Sequence, residues 1–325
     1  ERFAVAFWRA TGSDEHVNQV RERLTGRGLR LEGDSVVDQA NRPIALDDES
    51  ALYQAAGLEW IAPELREGRG EVSAAADGRL PALLEPQDLR GVLHCHSRYS
   101  DGKSTIAEMA EAARARGWSY IGISDHSQAA FYASGVSRED MLAQHDEIDT
   151  LNGTLDGFRV LKGVEADILA DGRLDYDAEL LARFDYVIGS IHSRFNMDGP
   201  AMTERVLHAM DDPHMTILAH PTGRLLLSRE PYALDVDAVL EKAAAKGVAV
   251  EVNADPRRMD LDWRYLQRAR ELGVRIEIGP DAHSRAALEW TELGVAAARK
   301  GWLEPRHVLN TRDAEGVLAF ARARR

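Results

Sequence analysis

A single cysteine, Cys95, occurs in 325 residues. That excludes an intramolecular disulfide and any cysteine-built zinc finger, and it agrees with a reducing, cytoplasmic location. No apolar run approaches the roughly 18 residues of a membrane span, and the opening residues carry no signal-peptide pattern, so no membrane partner is expected. Cationic residues are in the minority: 40 Lys and Arg against 54 Asp and Glu leave a net charge of −14. A chain that grips nucleic acid over a broad basic surface is thereby excluded. Local contacts are not, because bound divalent cations would supply positive charge where it is needed. Internal repeats and low-complexity tracts are also missing. The 44% hydrophobic and 29% charged residues that remain are ordinary globular composition, and the length suits one large domain or two unequal ones.

What the chain does have is a series of short histidine and carboxylate motifs between residues 94 and 283. They read His94-Cys95-His96, Ser100-Asp101-Gly102, Asp125-His126, Gly163-Val164-Glu165, Ile191-His192, Ala219-His220-Pro221 and Asp281-Ala282-His283. No neighbouring pair suffices to hold an ion alone, so the fold must gather them.

Residues 1–72 read as a small α/β unit. The apolar stretch 3–8, with Glu1 and Arg2 before it, is expected as a strand, so the chain is expected to begin inside a domain, as a fragment would. Thr11-Gly12-Ser13-Asp14 supplies a turn and helix N-cap, and Val17, Val20 and Leu24 carry helical spacing over 15–27. Short strands near 29–31 and 36–37 and a helix near 48–56 follow, then a linker over 73–87 with turn chemistry. From 88 to 325 the pattern becomes strand, loop, helix, repeated. Strands are expected at 91–94, 120–124, 159–164, 186–191, 216–219, 248–252 and 275–278. Helices are expected at 105–116, 138–151, 202–210, 236–246, 263–272, 286–299 and 314–322. Seven buried strands alternating with helices predict an α/β fold with a parallel, TIM-like barrel, an eighth uncounted strand staying open.

The polar residues fall at the strand ends. His94, His126, Glu165, His192, His220 and Asp281 all lie at or just past the C-terminal end of an expected strand, the rim on which such barrels build their sites. Any one of these histidines is as easily a buried hydrogen-bonding group. Nine candidate ligands in that placement point to metal: His94, His96, Asp101, His126, Glu165, His192, His220, Asp281 and His283. His94 and His96 share a strand face, Gly102 lets a tight turn aim Asp101 back, and Glu165 offers two oxygens to bridge ions. The donor set is enough for two or three divalent ions, with zinc, manganese or iron favoured over calcium or magnesium. Cys95, between two ligands, points away into the core. Asp125 is expected to orient an imidazole from behind. His16, His145, His208, His214 and His307 are read as surface residues.

These motifs, together with Ser124-Asp125-His126 and Ser190-Ile191-His192, resemble the PHP (polymerase and histidinol phosphatase) family of metal-dependent phosphoesterases over about residues 88–325. The resemblance implies a distorted seven-stranded (β/α) barrel with a trinuclear site. By that analogy one ion takes His94, His96, Glu165 and Asp281; a second shares Glu165 and adds His192 and His220; a third uses Asp101, His126 and His283. Glu165, Asp281 and His192 would be the catalytic groups. The N-terminal part resembles the end of the palm and the thumb of bacterial family X DNA polymerases, on Thr11-Gly12-Ser13-Asp14-Glu15-His16, Tyr53-Gln54-Ala55-Ala56-Gly57-Leu58, Ile61-Ala62-Pro63-Glu64-Leu65-Arg66 and Gly70-Glu71. The segment from Glu251 to Leu261 is also similar to the PHP domains of those enzymes. Fingers, a helix-hairpin-helix unit and paired palm aspartates are absent, so this chain alone is not expected to polymerise. Arg9-Ala10 replaces the aromatic pair before Thr-Gly-Ser, and Pro280 replaces a small polar residue before Asp281.

The function implied is hydrolysis at DNA 3′ ends in gapped or damaged DNA: 3′–5′ exonuclease, with abasic-site cleavage or 3′-phosphatase activity beside it. Missing N-terminal polymerase parts would be partners in an intact protein; the oligomeric state stays open. Arg194, Arg224, Arg257 and Arg258 are phosphate-gripping candidates just beyond strands, and Tyr99 is a candidate for stacking a base or sugar or, equally, for packing. Arg9, Arg21, Arg23, Arg27 and Arg30 offer a modest basic face for duplex contacts. Two other readings compete, a small-molecule phosphatase such as histidinol phosphatase and a metal-stabilised structural module.

Overall fold

The computed structural model describes residues 2–325. The chain divides into two compact units, one ending at Ala82 and one spanning Leu83–Arg325.

The first unit opens with a helix where a strand was expected, Arg2–Thr11; Glu1 lies outside the described residues. Ala4, Val5 and Trp8 are buried while Phe3 and Phe7 are exposed. That spacing belongs to one face of a helix, and a run of consecutive apolar residues hides it from view in the sequence. The next helix, Asp14–Gly26, is capped by the Ser13 hydroxyl, which accepts from the His16 amide. β1 (Arg30–Glu32) and β2 (Ser35–Val37) form an antiparallel hairpin, and the helix Glu49–Ala55 starts from its Asp48 cap. His16 corrects the surface expectation. It shares the buried helix face with Val20 and Leu24, its Nδ1 lies 2.7 Å from Glu71 Oε1, and its Nε2 lies 2.9 Å from the Tyr53 hydroxyl. The expected linker 73–87 begins inside a helix, Glu71–Ala76, which Gly70 (φ 100°) leads into and an alanine run sustains. The expected basic face is weaker than its sequence, because Arg9 pairs with Asp34 and Arg30 with Glu32.

The second unit is a nearly closed barrel of seven parallel strands in sequential order: β3 (Gly91–Val92), β4 (Tyr120–Ile123), β5 (Arg159–Asp167), β6 (Tyr186–Ser190), β7 (Met215–Leu218), β8 (Ala249–Asn253) and β9 (Ile276–Gly279). Its seam is drawn together beyond the first and last strands. There the His96 amide donates to the Ala282 carbonyl at 2.9 Å and the Ala282 amide to the His94 carbonyl at 3.1 Å. β3 is shorter than expected because residues 94–96 serve this seam.

Alternation along the strands sorts side chains by layer. Val160, Val164 and Ala166 of β5, like Val250 and Val252 of β8, join the outer clusters against helices such as Ile106–Ala115 and Val236–Lys246. Leu161, Tyr186, Ile188, Ile217 and Ala249 pack together with Val317 and Leu318 of the helix Ala314–Arg322. On β5 the sequence of that second set runs Leu161, Gly163, Glu165, from apolar to ionisable towards the C-terminal end. Cys95 is buried in the outer cluster, as expected. Among the other histidines His208 is exposed and His214 and His307 are half-buried. His145 is buried, on the inner face of the helix Arg138–Asn152 with Met141 and Ile148.

Candidate metal centre

The donors reach one cleft because each follows or ends a strand. His94, His96 and Asp101 come after β3, His126 after β4, Glu165 from β5, His192 after β6, His220 after β7, and Asp281 and His283 after β9. All nine converge. Donor atoms of four groups each lie within 4.8 Å of one another: His96, Asp101, His126 and His283; His94, Glu165 and His220; His94, His96 and Asp281; and His126, Glu165 and His192. Glu165 sits between them. Its Oε1 is 2.9 Å from His220 Nε2 and 3.2 Å from His192 Nε2, while its Oε2 is 2.9 Å from His126 Nδ1 and 3.5 Å from His94 Nε2. His220 (φ 26°) and Asp281 (φ 49°) hold left-handed backbone, a cost that folds accept where a side chain must be aimed.

Two observations fit these residues to cations. Buried polar atoms ordinarily find hydrogen-bond partners. Here His94 Nε2, both ring nitrogens of His96, His126 Nδ1, His220 Nδ1, Glu165 Oε2 and Asp281 Oδ1 are buried with none. His126 Nδ1 and Glu165 Oε2 approach closely yet are not aligned as donor and acceptor, as lone pairs facing a common centre would be. Secondly, the far sides of several rings are already tied. His94 Nδ1 lies 2.5 Å from Glu251 Oε1, His192 Nδ1 lies 2.7 Å from Asp167 Oδ1, and His283 Nδ1 lies 2.9 Å from the Asp281 carbonyl. With Nδ1 held as the donor, each Nε2 presents its lone pair to the cleft, the arrangement that orients imidazole ligands.

The electrostatics favour the ligand forms of the carboxylates and of His96 and His220. Burial alone would raise the Glu165 carboxyl, but His126, His192 and His94 hold it well below the usual carboxylate range. Asp281 is likewise held low, against burial, by His94, His96 and Arg258. Burial, with His283 and His126 nearby, pushes His96 down to about 3; burial and Arg258 push His220 down to about 3. Against burial, the carboxylates Glu165 and Asp167 raise His192 to about 9, and Asp101 and Asp281 raise His283 to about 9. A divalent cation requires ionised carboxylates and neutral imidazoles, so its binding would displace the protons that the neighbouring carboxylates favour on His192 and His283.

The cleft holds about 270 Å³ and is lined by all of these donors except His94 and His96, together with Tyr132, Leu225, Asp255, Arg257 and Arg258. Of the four arginine candidates, Arg258 is the deepest: its Nε is 3.4 Å from Asp281 Oδ2 and its side chain is 17% exposed. Arg257 lines the mouth and pairs with Asp255 at 2.6 Å. Arg224 is corrected. It binds the Arg258 and Met259 carbonyls and Asp262, so it braces the loop that carries Arg258 instead of facing the cleft. Arg194 is exposed on a left-handed turn (φ 56°) and does not line the cleft. Tyr99 is corrected too, since its hydroxyl donates to Glu147 at 2.8 Å and its ring packs on the core. Asp125 accepts from Ser97, Ser100 and Gln144, so it fixes the turn leading to Asp101 and orients no imidazole.

Sequence reasoning missed Asp167, Glu251 and Tyr132. The first two had a signal: Asp167 is two residues beyond Glu165 on the same strand face, and Glu251 is a charge inside an otherwise apolar strand. Tyr132 had none, because a loop residue carries no periodicity.

The family model for the PHP domain matches residues 93–255, and the model for the DNA polymerase beta thumb matches residues 6–67. A Bacillus subtilis protein named DNA polymerase/3'-5' exonuclease PolX is 42% identical over 98% of this chain, and the chain spans 56% of that protein's length. A Syntrophotalea carbinolica protein named "Probable phosphatase" is 33% identical over 70% of this chain and 94% of its own length. A crystal structure from Listeria monocytogenes, whose description proposes a histidinol phosphatase, matches 61% of this chain and 97% of its own at a TM-score of 0.50 and 12% identity, a likeness of fold alone. With half its length matched by the PHP domain and a polymerase-beta-type thumb sequence ahead of it, the chain belongs to the PHP family.

Proposed function

We propose that the cleft is a centre for two or three divalent cations, manganese or zinc foremost, that hydrolyses phosphodiesters or phosphates at DNA 3′ ends. The convergence of nine donors, six of which carry a buried polar atom with no hydrogen-bond partner, carries this reading. A thumb of the DNA polymerase beta type in the same chain supports DNA as substrate, as does the name of the Bacillus subtilis relative. His94, His96, Glu165 and Asp281 would share one ion, with Glu165 bridging to His192 and His220, and Asp101, His126 and His283 holding another.

When bound, the cations supply Lewis acidity and a water made nucleophilic near neutral pH. The chain's own groups do the rest. Arg258, half-sheltered at the floor, offers its guanidinium to phosphate oxygens, and Arg257 at the mouth offers a second. Asp167 keeps the His192 ring oriented and able to carry positive charge as phosphate charge shifts, and Glu251 does the same for His94. Glu165, Asp281 and His192 are the groups nearest the reacting centre. Nucleotide removal from a 3′ end, abasic-site cleavage and 3′-phosphate removal all present a phosphate ester to these groups.

Likeness to proteins named as phosphatases favours a second reading, a small-molecule phosphatase. Elemental analysis of the purified chain, with labelled single- and double-stranded DNA digested alongside histidinol phosphate, separates the two. Metal-dependent shortening of DNA from its 3′ end is expected. Turnover of histidinol phosphate with intact DNA would replace the first reading by the second.

A further inference from the structure

Two turns stand at the mouth of the cleft, and both present large apolar side chains to solvent. The turn Phe131–Ala133 exposes Phe131 (86%) and Tyr132 (58%), and the turn after His220 exposes Leu226 (44%) and Leu227 (110%). Scattered exposed hydrophobics are ordinary, but four of them on the two turns that also give the cleft Tyr132 and Leu225 are not scattered. Neither turn is loosely held. The Ala129 amide donates to Asp175 at 2.6 Å and the Val136 amide to the His126 carbonyl at 2.9 Å. The Leu226 amide donates to the Arg257 carbonyl at 2.6 Å, which ties the second turn to the arginine segment.

The rings of Phe131 and Tyr132 meet at 75° with centroids 6.2 Å apart, making an open aromatic corner. Tyr132 reaches inward from it, with its ring edge-on to His192 at 5.9 Å and to His126 at 6.4 Å. A flat aromatic ligand entering this corner would lie face to one ring and edge to the other, the two arrangements aromatic pairs prefer. Tyr132 links the corner and the donor cluster, because its ring meets His192 and His126 of that cluster and lines the same cleft as Arg258. Nucleotides have this shape, with an anion at one end and a planar ring at the other.

We propose that Phe131 and Tyr132 stack the unpaired base of the terminal nucleotide whose phosphate enters the cleft. This rests on the DNA reading above and assigns it two positioning residues at the mouth of the cleft. A terminal base still paired is pinned by its partner and its inner neighbour, whereas an unpaired terminal base can turn out of the stack into the corner. Stacking tolerates any base, so sequence preference is weak. Leu225 to Leu227 close the opposite side against the sugar.

The test compares two oligonucleotides that differ only at the 3′ residue, one ending in an ordinary nucleotide and one in a base-less tetrahydrofuran residue, cut by the manganese-loaded full chain. Native protein is expected to show a lower KM for the base-ended strand. In Phe131→Ala and Tyr132→Leu that KM rises roughly five- to hundred-fold, the size of one lost base stack, and the preference between substrates shrinks towards none. Tyr132→Phe keeps the ring and should keep the preference. An unchanged preference in both ring-removing variants overturns the stacking role while the DNA reading stands. An equal loss on both substrates also overturns it, since that marks a structural role. No cleavage of either strand by native protein overturns the DNA reading, and the stacking proposal with it.

Discussion

His145 shows how a single titratable residue reports the state of the core. Its ring is edge-on to Phe184 at 4.8 Å, its Nε2 is buried without a hydrogen-bond partner, and burial pushes it down to about 4. Between pH 4 and about 6.5 the unfolded chain binds a proton that the folded chain refuses, so stability rises with pH through that window. Lowering pH from 6.5 towards 4 should therefore cost on the order of 1–2 kcal/mol through this group. In His145→Leu the melting temperature should fall less steeply over the same range; parallel slopes for the two proteins would contradict it. At the cleft, His94→Ala and Glu165→Ala remove two of the proposed ligands while deleting little apolar contact. Both should abolish manganese-dependent nuclease activity and keep a native far-ultraviolet spectrum, and undiminished digestion of 3′ ends by both would refute the metal centre. Asp167→Asn leaves the His192 ring in place but weakens its orientation. Metal affinity, measured by competition with a chelator, should fall about ten- to hundred-fold.

At the scale of elements, β5 organises the site. It supplies Glu165 and Asp167 on the face that Leu161 and Gly163 begin, and it pairs with both β4 and β6. Gly163 and Gly122 are small for a visible reason: a Cβ on either would overlap the Tyr186 ring, whose hydroxyl donates to the Leu93 carbonyl just before His94. Gly163→Ala should destabilise the barrel by about 1–3 kcal/mol, as overpacking does, and displace the strand end that carries Glu165. Denaturant unfolding checks the first effect, and metal titration of the folded variant the second. A variant with native stability and native affinity would show that the ring moves aside freely. The strands and most helices of this unit were legible because buried parallel strands make short apolar runs and outer helices keep one apolar face. The helix Arg2–Thr11 was not, since its apolar residues spill onto both faces and leave Phe3 and Phe7 in water.

For the whole molecule, charge links metal to stability. The net charge is −14, and Glu165, Asp281, Asp101, Glu251 and Glu277 meet in or beside one cleft. Burial and neighbouring Glu251 push Glu277 up to about 8, a carboxyl kept protonated beneath the donors at neutral pH. Cations held by the gathered donors would find no such cluster in the unfolded chain, so they should stabilise the folded state. At a hundred times its dissociation constant a single ion contributes about 2.7 kcal/mol. Chelation should lower the melting temperature of the native chain and leave that of Glu165→Ala nearly unmoved. Equal shifts in both would place the effect elsewhere.

The sequence by itself determined the parallel alternation of strands and helices, the nine donor positions at the C-terminal ends of strands and the thumb-like character of the first unit. These are local properties: a strand end or an apolar period is written within a few residues. Only the tertiary structure decided which carboxylates stand behind which imidazoles, that Arg258 faces the cleft while Arg224 braces its loop, and that Tyr132 takes the place at the mouth expected of Tyr99. Each depends on where a loop folds back, which is set by contacts between residues far apart in the chain. The cleft shows the difference most plainly, since His94 meets Glu251 across 157 residues of sequence.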